Sequence, residues 1–331
     1  MKETPDPRTS ARLLPSAAMV QLADIEAARR RIAPHLRRTP LMDVGPLPGG
    51  APGGRLTLKL ENLQVTGSFK ARGATNKVLT LPAEQAARGL VTASGGNHGL
   101  GVAFAGRLAE VPVTIYLPGN VPPAKAEKLA RWGARVVREG EVWDDANAAA
   151  LEAARRDGTA YVHPFADPAV IAGQGTLGVE ILEDAPETDL VVAAIGGGGL
   201  IAGVAIALKG LRPDIRLFGV EPFGAPTLYE SLRAGTVVEL PAVTTAANTL
   251  APRRSHEMNF AIIRERVDDI VLITDEEMRE AARWLWFDVG IAAELSGAAA
   301  VAALRSGKIP LDGARSVCAV ICGAGTDGIG E

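Results

Sequence analysis

The stretch Asp189-Leu-Val-Val-Ala-Ala-Ile195-Gly196-Gly-Gly-Gly199-Leu-Ile-Ala-Gly203 decides the fold. Leu190 to Ile195 form an apolar, partly β-branched run of the kind that a strand buried on both faces requires. From Leu190 to Leu208 no residue is charged, and that length would suffice for a membrane-spanning helix. Four consecutive glycines in the middle argue otherwise, because each costs a helix on the order of 1 kcal/mol relative to alanine. The stretch therefore reads as strand, tight turn and buried helix. Successive backbone N–H groups in such a turn make a nest for an anion, backed by the dipole of the following helix, and the natural anion is a phosphate. Gly197-x-Gly199-x-x-Ala202 also fits the G-x-G-x-x-A dinucleotide form, with Glu221 placed downstream for a ribose hydroxyl. On this motif alone a nicotinamide-dependent (NAD) oxidoreductase competes.

Outward from this turn the chain alternates. Short β-branched runs at 55–60, 89–93, 111–117, 134–138, 160–163, 189–195, 215–220, 268–273 and 315–321 are separated by alanine-rich helical stretches, among them 122–132, 143–156, 169–183, 275–287 and 294–305. This pattern predicts an α/β fold of parallel sheets with helices on both faces, in which ligands sit beyond the carboxyl ends of the strands. Asp24 is expected to cap a helix through I-E-A-A-R-R-R-I-A-P-H-L, Gly45 to Gly54 to form a loop, and residues 1–20 to be a frayed polar tail.

The 331 residues suit about two domains, and 35 basic against 38 acidic residues leave no basic footprint for nucleic acid. Cys318 and Cys322 lie roughly 13 Å apart along a strand, beyond disulfide reach, and two thiols do not make a zinc site. With no secretory segment at the start, the expectation is a soluble cytoplasmic protein with reduced thiols and no membrane partner. The 37 glycines stand beside only 7 Phe, 4 Trp and 3 Tyr, so backbone freedom is used more than aromatic stacking.

Three further motifs fall at strand ends. In E-N-L-Q-V-T-G-S-F-K-A-R-G-A (Glu61 to Ala74), Ser68 is expected to cap a helix that carries Lys70 in its first turn, where the terminal field and burial favour the neutral, nucleophilic amine. In T-A-S-G-G-N-H-G (Thr92 to Gly99), free N–H groups at a helix start offer a receptor for a carboxylate or phosphate. Taken alone, the motif is better explained by a capping turn in which Ser94 and Asn97 serve only the backbone, and His98 reads as structural. In V-C-A-V-I-C-G-A-G-T-D, Cys322 ends the last strand, where a thiol can donate weakly to a ring nitrogen.

A Schiff-base lysine, a carboxylate site, a phosphate nest and a small donor at the last strand are the parts needed to hold pyridoxal 5'-phosphate and an amino acid. In these motifs the sequence resembles the fold-type II pyridoxal-phosphate enzymes (tryptophan synthase beta-like), specifically the threonine/serine dehydratase and serine racemase group. The resemblance extends through T-P-L, S-F-K-A-R-G-A, S-G-G-N-H-G, H-P-F-A-D-P-A-V-I-A-G-Q-G-T, G-G-G-G-L, G-V-E-P, E-L-S-G-A-A-A and I-C-G-A-G. It implies two α/β domains with the cofactor between them: a large one of residues 1–88 and 166–331 and a small one of 89–165. Lys70 would hold the cofactor as an internal aldimine and remove the α-proton, Phe69 would pack on the ring, and Asn97 would bind its phenolic oxygen. Gly196, Gly197, Gly198, Gly199 and the N–H of Leu200 would hold the phosphate. Ser94, Gly95, Gly96, Asn97 and His98 would bind the substrate carboxylate, and Cys322 would meet the pyridine nitrogen. The implied reaction is loss of water from L-threonine or L-serine to give a 2-oxo acid and ammonia, in a homodimer or homotetramer.

The departures matter equally. Racemases of this group place a serine where this chain has Gly95, which favours elimination over racemisation. A-N-T-L-A (Ala247 to Ala251) replaces A-D-G-L-A, and Trp143 stands where smaller residues are commoner, so the same fold leaves open a racemase or a bulkier substrate such as 3-phenylserine or 3-hydroxyaspartate. Glu221 and Ala225 match part of a cation site, but Thr227 replaces its aspartate, and no metal is expected. Nor is a C-terminal regulatory domain expected.

Overall fold

The computed structural model describes residues 20–46, 49–50 and 54–329. The expected tail, Val20 excepted, and half of the Gly45–Gly54 loop fall outside them. Two sheets organise the chain. The larger runs β1 (Leu41–Pro46), β2 (Arg55–Lys59), β10 (Ser316–Val320), β7 (Leu190–Ala194), β8 (Arg216–Pro222) and β9 (Asp269–Ile273), in that spatial order. The smaller runs β5 (Arg135–Arg138), β4 (Val113–Leu117), β3 (Leu90–Ala93) and β6 (Ala160–Tyr161). All neighbours are parallel except β1 on β2. Each of the nine anticipated runs contains a strand. β1 is an addition: L-M-D-V, short and preceded by Pro40, carries no clean alternation, and it pairs only at the sheet edge.

β7, the strand of the opening stretch, is buried along its whole length and lies inside the larger sheet, which explains its uncharged sequence. The helix after its glycines, α8 (Gly199–Leu211), packs against α7 (Pro168–Asp184) with backbone contact, since a Cβ on Gly203 would come within 2.4 Å of the Ile171 carbonyl oxygen. No helix among the described residues is long and apolar enough to cross a membrane. The core under the smaller sheet also takes Ala74 and Val78 from α2 (Lys70–Leu79).

Two capping expectations are corrected. The first helix, α1 (Leu22–Ile32), begins before Asp24, whose carboxylate accepts the Gln21 N–H at 2.8 Å from the third helical position. Ser68 makes no cap. Its backbone is extended (φ −160°, ψ 161°) because it bridges to Gly323, and its Oγ is buried without a partner among the described residues.

A buried ion cluster anchors α2 to α7. The Arg72 guanidinium donates to both oxygens of Glu61 (2.8 Å each) and to both of Glu180 (2.7 and 2.9 Å). Lys59, fully buried, donates to Glu180 at 2.8 Å and to the Thr39 carbonyl at 2.8 Å. Lys59 also donates to Asp184 Oδ2 at 3.2 Å, so two cations meet three carboxylates, and the buried charges are paired as a core requires.

Candidate active site

Lys70 is the first residue of α2, and the turn before it is tied to the end of β10 from the far end of the sequence: Phe69 N–H donates to the Cys322 carbonyl (3.2 Å) and Ala324 N–H to the Gly67 carbonyl (2.8 Å). The Nζ atom donates to the Pro164 carbonyl at 2.7 Å and lies 5.2 Å from the centre of the Phe69 ring. Burial pulls its pKa down to about 8, against the opposing influence of Cys322 and Glu294. The expectation of an amine biased towards its neutral form therefore has a structural cause, and desolvation leads it.

The glycine turn runs from the end of β7 into α8. Gly198 has φ +87°, a conformation that side chains other than glycine rarely adopt. The Gly197 carbonyl accepts Asn259 Nδ2 (2.6 Å) and Ser255 Oγ (3.0 Å), which fixes the orientation of the Gly197–Gly198 peptide. The N–H groups of Gly196 to Leu200 find no partner among the described residues, so a set of donors at a helix start is open to an anion. A Cβ on Gly197 would fall 2.2 Å from the Phe165 ring, so the turn is tightly covered on that side.

Across the cleft, β3 ends in Ser94, Gly95 and Gly96, and Asn97 begins α4 (Asn97–Leu108). Ser94 Oγ accepts the Gly96 N–H at 3.3 Å. Gly99 permits the doubling back, since its Cβ would overlap the Ser94 carbonyl oxygen at 2.1 Å. The His98 ring turns away into the small-sheet core, where Nε2 meets Thr92 Oγ1 (3.1 Å) and the Val162 carbonyl (2.9 Å). Burial, aided by the Lys70 charge, lowers its pKa to about 3, leaving a neutral imidazole and only a backbone N–H for any ligand. Trp143 Nε1 donates to the Ala93 carbonyl (2.9 Å), which places the indole beside this loop.

Cys322 Sγ lies 3.3 Å from the Ser296 carbonyl, and burial pushes the thiol pKa well up, so it remains an S–H donor. The cleft, of about 180 Å³, is lined by Gly95, Gly96, Asn97, Thr249, Glu294 and Ser296 among others. Glu294, Pro164, Phe165, Ser255 and Asn259 are site residues to which the sequence reading gave no role. Glu294 had a visible trace there in E-L-S-G-A-A-A, and Pro164 and Phe165 in H-P-F-A-D-P-A-V-I-A-G-Q-G-T.

Glu221 cannot serve a ribose. It is fully buried, its oxygens accept the Leu228 and Tyr229 N–H groups (2.9 and 2.8 Å), and burial pushes its pKa up to about 8. Thr227 Oγ1 donates to the Pro252 carbonyl at 2.7 Å.

Residues 32–323 match the model of the family described as pyridoxal-phosphate dependent enzymes. The chain is 40% identical over 309 residues to an L-threonine ammonia-lyase of Thermotoga maritima, covering 93% of this chain and 76% of the relative. Maize serine racemase superposes with a TM-score of 0.87 at 32% identity, over 92% of this chain and 93% of that one. The processed form of threonine deaminase isoform 2 from Solanum lycopersicum superposes with a TM-score of 0.86 at 34% identity, over 96% of each chain. The residues suit that cofactor: N–H groups of the glycine turn, unpartnered among the described residues, for a phosphate; a buried amine of lowered pKa for an aldehyde; and a protonated thiol for a pyridine nitrogen. With the fold, the motifs and this match in agreement, the chain belongs to the pyridoxal-phosphate dependent enzyme family.

Proposed function

We propose that this enzyme removes water from a β-hydroxy-α-amino acid, L-threonine or L-serine, and yields a 2-oxo acid and ammonia. The observation that carries the reading is the Cys322 thiol, kept protonated by burial close to Lys70. A neutral donor leaves a pyridine nitrogen unprotonated, so charge at the α-carbon is only weakly stabilised and prompt loss of the β-hydroxyl is favoured. The names of the relatives, L-threonine ammonia-lyase and threonine deaminase, support the same chemistry.

Bound pyridoxal phosphate supplies an aldehyde carbon for an amine and a conjugated ring that accepts an electron pair. The chain supplies the rest. The N–H groups of Gly196 to Leu200 bind the phosphate, and Phe69 supports the ring. The α4 start, with Ser94 to His98 contributing mainly backbone N–H groups, holds the substrate carboxylate. Lys70, once its amine is free, would take the α-proton; the electron pair left at Cα would form the Cα–Cβ double bond as the β C–O bond breaks, and the hydroxyl would leave as water with the proton returned by the Lys70 ammonium. The released enamine hydrolyses to the 2-oxo acid and ammonia.

Purified protein is expected to be yellow, and Lys70→Ala to lose both colour and deamination. A protein that stays colourless after incubation with pyridoxal phosphate refutes the reading. The superposition on maize serine racemase favours a racemase as second reading. Gly95 argues against it, and 2-oxo acid release measured beside racemisation over threonine, serine, 3-phenylserine and 3-hydroxyaspartate decides. A division into a large domain of 1–88 with 166–331 and a small one of 89–165, a cytoplasmic location and a homodimer or homotetramer belong to the same reading. The exposed Trp286 and Phe287 support self-association, which sedimentation tests.

A further inference from the structure

Glu294 precedes α12 (Leu295–Arg305) and sits in a niche that two glycines leave open: a Cβ on Gly323 would lie 2.4 Å from its Oε1, and one on Gly325 would lie 2.7 Å from its Cβ. Two donors converge on Oε1, namely Asn97 Nδ2 (2.8 Å) and Ser296 Oγ (2.5 Å), and Ser296 Oγ in turn accepts the Thr249 hydroxyl (2.5 Å). Oε2 takes no hydrogen bond among the described residues, and Glu294 lines the cleft. Through the Asn97 contact this carboxylate reaches α4, which joins the larger-sheet side of the cleft to the smaller-sheet side. A primary amide with one N–H held in this way has its other N–H fixed in direction. A buried carboxylate also acts over several ångströms, and Glu294 influences both Lys70 and Cys322.

Resting on the pyridoxal-phosphate reading, we propose that Glu294 is a positioning residue that aims the Asn97 amide at the bound cofactor and places a carboxylate beside it. The charged or titratable groups that share its surroundings are Lys70 on α2, Cys322 after β10, Asp327 in the following turn, and Lys125 and Lys128 on α5 (Pro123–Arg131).

The test follows the visible absorbance of the holoenzyme against pH in Glu294→Gln, Asn97→Ala and the double variant, with cofactor Kd measured by fluorescence. Loss of the carboxylate disfavours protonated forms nearby, so Glu294→Gln is expected to move the absorbance midpoint down by about one pH unit, a tenfold change in proton affinity. In the Asn97→Ala background the further shift on adding Glu294→Gln is expected to shrink by half or more. An unchanged midpoint in Glu294→Gln, or an undiminished shift in the double variant, overturns the proposal. If Glu294→Gln does not retain cofactor, the pair Thr249→Val and Ser296→Ala, which keeps the carboxylate but removes its Ser296 donor and the Thr249 hydroxyl behind it, is expected to move the midpoint, and no movement overturns it. Failure of the parent protein to bind pyridoxal phosphate would refute the family chemistry; binding without elimination would refute the lyase reading alone.

Discussion

The ionisation of Lys70 can be measured without cofactor or substrate. A pKa of about 8 against the ordinary 10.5 means that burial favours the free amine. At pH 7.5 about one Lys70 amine in four is then neutral, whereas an unperturbed lysine has about one in a thousand, a difference of roughly 240-fold. The assay is competitive acetylation of the apo-protein with trace acetic anhydride between pH 6 and 11. The Lys70 peptide is quantified by mass spectrometry beside added Nα-acetyl-lysine as internal reference. The expected midpoint for Lys70 lies about two and a half units below the reference. The cause is testable in the same series: the Nζ–Pro164 contact and the Phe69 ring keep the amine dry, so Phe69→Ser, which admits water, is expected to bring the midpoint back towards the reference. Coincident midpoints for Lys70 and the reference in the parent protein would refute the desolvation argument.

Gly197→Ala drives a methyl into the Phe165 ring, and is expected to weaken pyridoxal phosphate binding at least tenfold while leaving far-ultraviolet circular dichroism unchanged; equal affinity would show that the turn does not hold the phosphate. Arg72→Met leaves Glu61 and Glu180 buried without their shared cation, and is expected to cost about 3–5 kcal/mol of stability, read from urea unfolding. His98 and His163 have folded pKa values of about 3 and about 4, below the ordinary 6.5. The unfolded chain therefore binds more protons between those limits, and stability is expected to fall as pH drops from 7 to 4; His98→Asn flattens that slope if the reasoning holds.

Local pattern made much of this legible. Every described strand but β1 stands out because β-branched runs meet alanine-rich helices, and Lys70 and Gly196 to Gly199 stand out because the pattern that marks them lies in adjacent residues. What escaped depends on distance. Asn259 reaches Gly197 from 62 residues away and Glu294 reaches Asn97 from 197, and nothing near either residue records the partner. Ser68 shows the converse error: its position before a helix suits a cap, yet a bridge to Gly323 determines its backbone. Gly323 and Gly325 follow Cys322 in the last motif with no role legible in the sequence, and the structure gives them one, space for Glu294.

The position of β10, inserted between β2 and β7, bears on how the molecule is made. A ribosome delivers the residues of this strand after those of the other described strands, so the larger sheet stays divided until residues 316–320 arrive and slide between strands synthesised much earlier. Pairing segments so far apart in sequence is a slow kind of contact to form, and the turn bearing Lys70 gains its Cys322 tether only at that moment. A nascent chain halted short of β10 has the amine and the glycine turn but lacks the strand that holds β2 and β7 in register.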